Sequence, residues 1–350
     1  MARFDFGPVR VLDQAGNVET TLPGFARDRE ALARHYRAMV LTRQFDTKAV
    51  ALQRTGRLGT FASSLGQEAV SVGVASAMRD QDVFLPSFRE HGGQLWRGVT
   101  LKELFLFWGG DERGNDFSGH RMDFPACIPV ATQFPQAAGV ALAMQAQGTG
   151  GVAVPVGGDG ATSKGDFYEA MNIAGAWALP VVFVISNNQW AISVPLAAQT
   201  RAVAISDKAM AAGIPGGRVD GNDVIAVRAM MERALERARS GGGATLIEAV
   251  TYRLGDHTTA DDSKRYRNEA EVSAHWKAEP LVRLRAHLVQ EHGWTKEEEE
   301  TLQRSCREDV ETAAEAYLAT GLQPPRAIID HLFESVPEDL AQRFGEAGYE

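Results

Sequence analysis

Between Gly157 and Ser193 the chain reads GGDGATSKGDFYEAMNIAGAWALPVVFVISNNQWAIS, with oxygen-bearing side chains at the ends of two apolar runs. Asp159 follows VAVPV at 152–156, and Asn187 and Asn188 follow VVFVI at 181–185. A hard divalent cation such as magnesium takes oxygen ligands at roughly 2.0–2.1 Å in near-octahedral geometry and commonly shares its shell with phosphate and water. The Asp159 carboxylate, the side-chain carbonyl of Asn188 and one backbone carbonyl just after it would supply three such oxygens. A helix beginning near Ser163 to Asp166 would offer unpaired N–H groups to a phosphate beside it. GDG is also a common turn and NN an ordinary loop cap, so the local pattern leaves a metal-bound phosphate and a plain turn both open.

Two apolar runs without alternation suit parallel strands covered on both faces. Phe167, Ala170, Met171, Ala174, Trp177 and Ala178 recur at helical spacing between them, and Pro180 closes that helix. A right-handed crossover then brings both strand ends to one sheet edge. Upstream, residues 27–54 read as one or more helices with Leu32, Tyr36, Met39 and Val40 inward, and residues 68–78 and 100–108 add two more. The Gly/Asp-rich stretch 109–123 lacks a period and reads as a lid, a partner-facing loop or an ordinary connection. Downstream, helices are expected at 204–212 and 224–239, a turn at 240–243 and a strand at 245–252. The helix-rich tail carries EEEE at 297–300, which reads as a solvated helix start. The pattern predicts an α/β fold with a layered, mostly parallel sheet flanked by helices. It divides into an N-terminal helical extension over 1–55, an α/β core over 56–268 and a helix-rich region over 269–350 packed on that core.

A chain of 350 residues supports one large domain or two closely joined units. Its net charge of -9 gives no broad basic footprint for nucleic acid. No 18-residue apolar stretch is present, so membrane insertion is not expected, and MARFDFGPVR lacks the apolar core of a secretory signal; a cytoplasmic location follows as the expectation. Cys127 and Cys306 are too few for a disulfide scaffold, lack zinc-ligand spacing and are expected to be reduced.

Two further residues carry candidate chemistry. Arg89 offers a guanidinium fork for anionic oxygens, against the reading of an ordinary surface arginine. His257 lies in a polar loop after the last strand; by itself it reads as a solvent-facing or loop-ordering histidine before a catalyst, although imidazole can hydrogen-bond phosphate and titrate near neutrality.

These segments form an ordered series: SLGQEAVSVG at 64–73, FREH at 88–91, PVATQFPQAAGVALA at 129–143, the GDG and NN pair, GRVDGNDVIAV at 217–227 and LIEAVTYRLGDHTTADDSKRYR at 246–267. Together they resemble alpha subunits of the E1 component of 2-oxo acid dehydrogenase complexes, over roughly residues 27–318. The resemblance implies a thiamine diphosphate-binding fold, with thiamine diphosphate and Mg2+ as cofactors. By it, Asp159, Asn188 and the backbone carbonyl of Trp190 ligate magnesium, and Gly160 and Ala161 approach the diphosphate through their backbone. Phe88, Arg89 and His257 fall at cofactor-contacting positions, with His257 at an active-site position, and Ile128 and Val130 lie around the bent cofactor. Trp190 and Phe88 each stand where the family usually has tyrosine, while Thr258 and Asn268 replace serines that are phosphorylated in some relatives. Thr132 and Gln133 are similar to part of a monovalent-cation loop, without enough ligands for that assignment.

In the resembled family the alpha chain holds the diphosphate end and a separate beta chain supplies the activating glutamate. The implied partners are therefore an E1 beta subunit in an α2β2 assembly, the lipoyl domain of E2 and a small 2-oxo acid. GDFYEAMNIAG at 165–175 and KAMAAGIPG at 208–216 look more like pyruvate dehydrogenase, while ATQFPQAAG and NNQWAISVP are also similar to branched-chain relatives. The resemblance thus implies decarboxylation of a 2-oxo acid, with pyruvate first, and acyl transfer to lipoyl E2. The rivals are a branched-chain or acetoin dehydrogenase alpha subunit and a noncatalytic phosphate- or metal-binding scaffold.

Overall fold

The computed structural model describes residues 7–329 and 332–348. Helix α1 (Arg29–Arg54) follows a 3-10 turn at Gly24–Arg27 and starts where the Asp28 carboxylate accepts the Glu30 N–H at 2.9 Å. Leu32, Tyr36, Met39 and Val40 are buried along it, as the spacing predicts. After it come α2 (Glu68–Ala77), β1 (Val83–Leu85), α3 (His91–Trp96) and α4 (Leu101–Trp108), the last opened by a Thr100/Glu103 capping box. The central run contains α5 (Gln133–Gln147), β2 (Ala153–Gly158), α6 (Gly165–Ala176), β3 (Val182–Asn187), a hairpin of β4 (Trp190–Ala191) and β5 (Val194–Pro195), and α7 (Leu196–Gln199). It continues through β6 (Gly216–Asp220), α8 (Val224–Arg237) and β7 (Thr245–Val250). The tail adds α9 (Glu269–Trp276), α10 (Pro280–His292), α11 (Lys296–Leu318) and α12 (Glu338–Glu346).

The main sheet is parallel, in the order β1-β2-β3-β7-β6. Strand β3 shows why its sequence is apolar throughout. Val182 and Val184 pack into the core beneath α2 and α8, whereas Phe183 and Ile185 point into the core beneath α5 and α6. A third cluster of Phe45, Phe61, Phe105 and Trp108 joins α1 and α4 to Val310 and Ala314 of α11.

Several expectations change. Residues 205–212 form a 3-10 helix ending at Gly213, which adopts φ 67. The 109–123 stretch is a pinned connection: Phe117 is buried, and Asp123 accepts from Arg97 Nε at 2.8 Å and from the Phe84 N–H at 2.8 Å. Of the EEEE run, Glu299 is drawn inward, accepting from Tyr36 Oη at 3.0 Å and Trp294 Nε1 at 3.0 Å. The N-terminal segment extends the sheet edge by a parallel bridge from Val9 to Val219, and Asp223 at the start of α8 accepts the Val11 and Leu12 N–H groups at 2.7 Å each. No periodicity marked that segment. Both cysteines are free thiols, and among the described residues no helix is long and apolar enough to cross a membrane.

Candidate active site

Strands β2, β3 and β7 are neighbours, and their carboxyl ends deliver Asp159, Asn188 and the loop containing Arg253 and His257 to one edge. Arg89 and Phe88 reach the same place from the segment between β1 and α3. Every residue singled out above as cofactor-facing, including Ile128, Val130, Gly160, Ala161 and Trp190, lines one cavity of about 680 Å³.

One wall presents oxygen. Asp159 is 1 % exposed and its carboxylate accepts from Gln199 Nε2 at 2.6 Å. Burial pushes its carboxyl above the ordinary range, opposed by the Gln199 hydrogen bond and the Arg253 charge. Asn188 accepts the Trp190 N–H through Oδ1 at 3.2 Å and donates through Nδ2 to Gln67 Oε1 at 3.0 Å. Between Asn188 and Trp190 the chain turns through Gln189 at φ 74, a left-handed conformation that a single polar residue tolerates. Among the described residues there is no cluster of three or more His, Cys, Asp or Glu suited to a metal. One carboxylate with neutral amide and backbone oxygens is instead the donor chemistry of a magnesium that completes its shell with phosphate and water.

Two guanidiniums lie beside these donors. Arg89 donates through Nη1 to the Ser63 carbonyl and through Nη2 to His257 Nδ1 at 3.0 Å and the His257 carbonyl at 2.6 Å. Arg253 donates to the Trp190 carbonyl at 3.1 Å, the Ile192 carbonyl at 2.7 Å and Tyr266 Oη at 3.0 Å, with Nη1 3.4 Å from His257 Nδ1. Both guanidiniums are buried, and none of these partners is a carboxylate. Burial and the neighbouring Arg253 charge lower Arg89 to about 10, and burial lowers Arg253 as well. A buried guanidinium on the cavity wall, Arg89, with Arg253 behind it and no carboxylate hydrogen-bonded to either, favours an anion there.

The same surroundings push His257 down to about 4, through burial first and then the charges of Arg89 and Arg253. The imidazole is therefore neutral near pH 7, with Nδ1 as acceptor and the proton on Nε2. An anion entering the cavity favours the imidazolium and raises this value. Histidine NMR on the assembly without cofactor should show no His257 titration between about pH 5.5 and 8, and diphosphate should move its midpoint upward. Since the bound form then takes up a proton, affinity should fall as pH rises through the raised midpoint. A midpoint near 6.5 that ignores diphosphate would remove His257 from the anion site.

Its loop is ordered from behind. The His257 N–H reaches Asp261 Oδ2 at 2.9 Å, Tyr266 Oη donates to the same carboxylate, and Arg267 Nη2 holds the Gly255 carbonyl at 2.9 Å. Phe88 lies beneath Arg89, whose guanidinium carbon is 5.2 Å from the ring centroid, so aromatic packing is present without a tyrosine hydroxyl. Ile128 and Val130 precede the helix α5. They are 50 % and 48 % exposed because α5 begins only at Gln133, after a left-handed Ala131 at φ 76. Gly158 leaves open space where a Cβ would meet nothing within 4 Å, whereas at Gly160 a Cβ would lie 2.8 Å from that of Ala191. The open edge, the oxygen donors and the unneutralised guanidiniums together fit a metal-bound diphosphate.

Sequence reasoning missed Arg253, Gln67 and Gln199. Arg253 stands just past β7, four positions before His257, and the only local signal was its place at the end of an apolar strand. The glutamines carried no signal that periodicity or charge could reveal.

Comparison with known proteins gives a consistent result. Residues 36–325 match the family described as dehydrogenase E1 component. A pyruvate dehydrogenase E1 component subunit alpha from Staphylococcus aureus (strain Mu50 / ATCC 700699) is 39 % identical over 342 residues, covering 97 % of this chain and 92 % of that protein. One of the same name from Staphylococcus epidermidis (strain ATCC 12228 / FDA PCI 1200) is 37 % identical over 342 residues with the same coverage of both chains.

Proposed function

The chain belongs to the dehydrogenase E1 component family, and from that premise we propose that it is the alpha subunit of a thiamine diphosphate-dependent pyruvate dehydrogenase that passes the acyl group to lipoyl E2. The observation that carries the site assignment is the pair of buried arginines, Arg89 and Arg253, converging on His257 with no carboxylate hydrogen-bonded to either, at the strand edge that also bears Asp159.

Thiamine diphosphate, when bound, supplies the carbon nucleophile and electron sink for loss of carbon dioxide from a 2-oxo acid. In this proposal Asp159, the Asn188 side-chain oxygen and the Trp190 carbonyl would hold Mg2+, Arg89 would neutralise the diphosphate from the cavity wall, and Arg253 would add positive charge from behind the Trp190 carbonyl that it bonds. The Nε2–H of neutral His257 donates to an anionic oxygen. Gly160 and Ala161 lie in the 3-10 turn Asp159–Ser163 directly after β2, where first-turn N–H groups are available. Ile128 and Val130 form an apolar rim for the rest of the cofactor.

The cavity's carboxylates are already engaged: Asp159 by Gln199, and Glu90 by Ser87 Oγ at 2.7 Å. Ile192, 56 % exposed, extends the apolar rim. Both features support a site completed by a beta subunit that brings its own proton-transfer group; the α2β2 assembly and the cytoplasmic location belong to the same proposal and rest on the family resemblance. Reconstitution with beta subunit, thiamine diphosphate and Mg2+ tests substrate choice. Pyruvate is expected to exceed 3-methyl-2-oxobutanoate in kcat/KM by roughly 10-fold or more, since pocket differences of about 1–3 kcal/mol per methylene separate these two acids, and to exceed acetoin, which has no carboxylate to lose. Preference for either of the other two would reassign the substrate.

A further inference from the structure

We propose that Gln67 and Gln199, neither of them a metal ligand, are positioning residues that orient the two side-chain oxygen donors of the cation site from behind. The inference rests on the reading of the cavity as a magnesium diphosphate site.

Asn188 has a choice that Asp159 lacks. Its amide can turn either an oxygen or an NH2 toward a cation, and only the first is a ligand. The Nδ2 group donates to Gln67 Oε1 at 3.0 Å while Oδ1 accepts the Trp190 N–H at 3.2 Å, so the oxygen lies on the side of the Trp190 backbone. Ser186 Oγ converges on the same Gln67 oxygen at 3.4 Å, which fixes that oxygen as an acceptor. Gln199 does the complementary task. Its Nε2 bridges Asp159 Oδ2 at 2.6 Å and the Val194 carbonyl at 3.1 Å, tying the carboxylate to the β4–β5 hairpin. Each donor side chain thus has one neutral amide behind it, an acceptor for the asparagine and a donor for the aspartate.

The backbone holding Gln67 is over-determined. Gly66 adopts φ 89, and a Cβ there would lie 2.8 Å from Leu254 Cγ and 2.9 Å from the Tyr252 carbonyl. The Gly66 carbonyl accepts Thr251 Oγ1 at 2.9 Å, and the Gln67 N–H donates to Ser64 at 2.8 Å. The turn is therefore fastened to the exit of β7, beside the strand that carries Asn188. Gln67 is 3 % exposed, lines the cavity, and its Nε2 has no partner. A buried N–H without an acceptor is a standing cost. Here it sits in the cavity that Arg89 also lines, where an anionic oxygen would satisfy it.

The test uses the alpha–beta assembly and equilibrium dialysis of thiamine diphosphate across a Mg2+ series, with the thermal midpoint of the metal-free assembly as a second measurement. Gln67→Met and Gln199→Met keep length without the amide. Each should raise half-saturating Mg2+ by roughly 10- to 100-fold, the size of outer-shell effects on metal affinity, while the metal-free midpoint stays at the wild-type value. Gln67→Glu still accepts from Asn188 but loses the free N–H. It should keep half-saturating Mg2+ within roughly threefold of wild type, yet bind the cofactor about tenfold more weakly at saturating Mg2+. Unshifted Mg2+ dependence in the methionine variants overturns the proposal, as does a Gln67→Glu shift as large as that of Gln67→Met. If a methionine variant does not assemble, Gln67→Glu decides: preserved Mg2+ dependence with weaker cofactor binding supports the proposal, and any other combination overturns it. A wild-type assembly that retains no cofactor at any Mg2+ concentration overturns the site reading and the proposal together.

Discussion

Asp159→Ala is expected to reduce Mg2+-dependent retention of thiamine diphosphate by roughly two to three orders of magnitude, since breaking a buried charge pairing costs about 3–5 kcal/mol. Asp159 is the anionic donor on its wall, and the Asn188 oxygen and Trp190 carbonyl contribute no charge of their own. Removing it leaves a dication facing Arg89 and Arg253. Asp159→Asn refines the test because it keeps the side-chain shape and a hydrogen-bonding partner for Gln199 while removing the charge. Burial disfavours the ionised carboxylate, so the metal-free Asn variant should be at least as stable as wild type. Dialysis of the reconstituted assembly measures the first effect and thermal unfolding without metal the second. Wild-type cofactor retention in Asp159→Ala would take Asp159 out of the cation shell.

The chain purified without its beta partner is expected to show no measurable decarboxylation of pyruvate, and addition of beta should restore it. A positioned proton-transfer group contributes about 10²–10⁴-fold by itself, and the lining carboxylates Glu90 and Asp159 are both occupied within the chain. The apolar rim of Ile128, Val130 and Ile192 also faces outward, so water is not excluded from the reacting end. Steady-state decarboxylation with an artificial electron acceptor, measured for each chain and for the mixture, decides the point. Full turnover by the isolated chain would show that the site is complete without a second subunit.

The strands that frame the site were legible because burial on both faces removes alternation, and VVFVI leaves little else for β3 to be. Asp159 and Asn188 could be brought together on paper because a crossover joins neighbouring parallel strands. Arg253 could not. Its strand inserts between β3 and β6, and strand order is decided by packing across the whole sheet rather than by the residues near 253. Arg89 was legible as a cation, but its partners come from residues 63 and 257, and no local pattern joins those segments. The exposure of Ile128 and Val130 has no local signal, because it depends on a left-handed Ala131 that turns the chain before α5. Glu299 shows the converse, a charge in an acidic run drawn inside by a phenol and an indole.

The lateral spacing of Asp159 and Asn188, which stand at the ends of β2 and β3, follows the ladder between those strands, about 4.8 Å apart. The rim at Ile128 and Val130 hangs on a separate backbone joint. On the proposed reading, a substitution at Ile128 or Val130 alters the entrance without moving the two strand ends that carry Asp159 and Asn188.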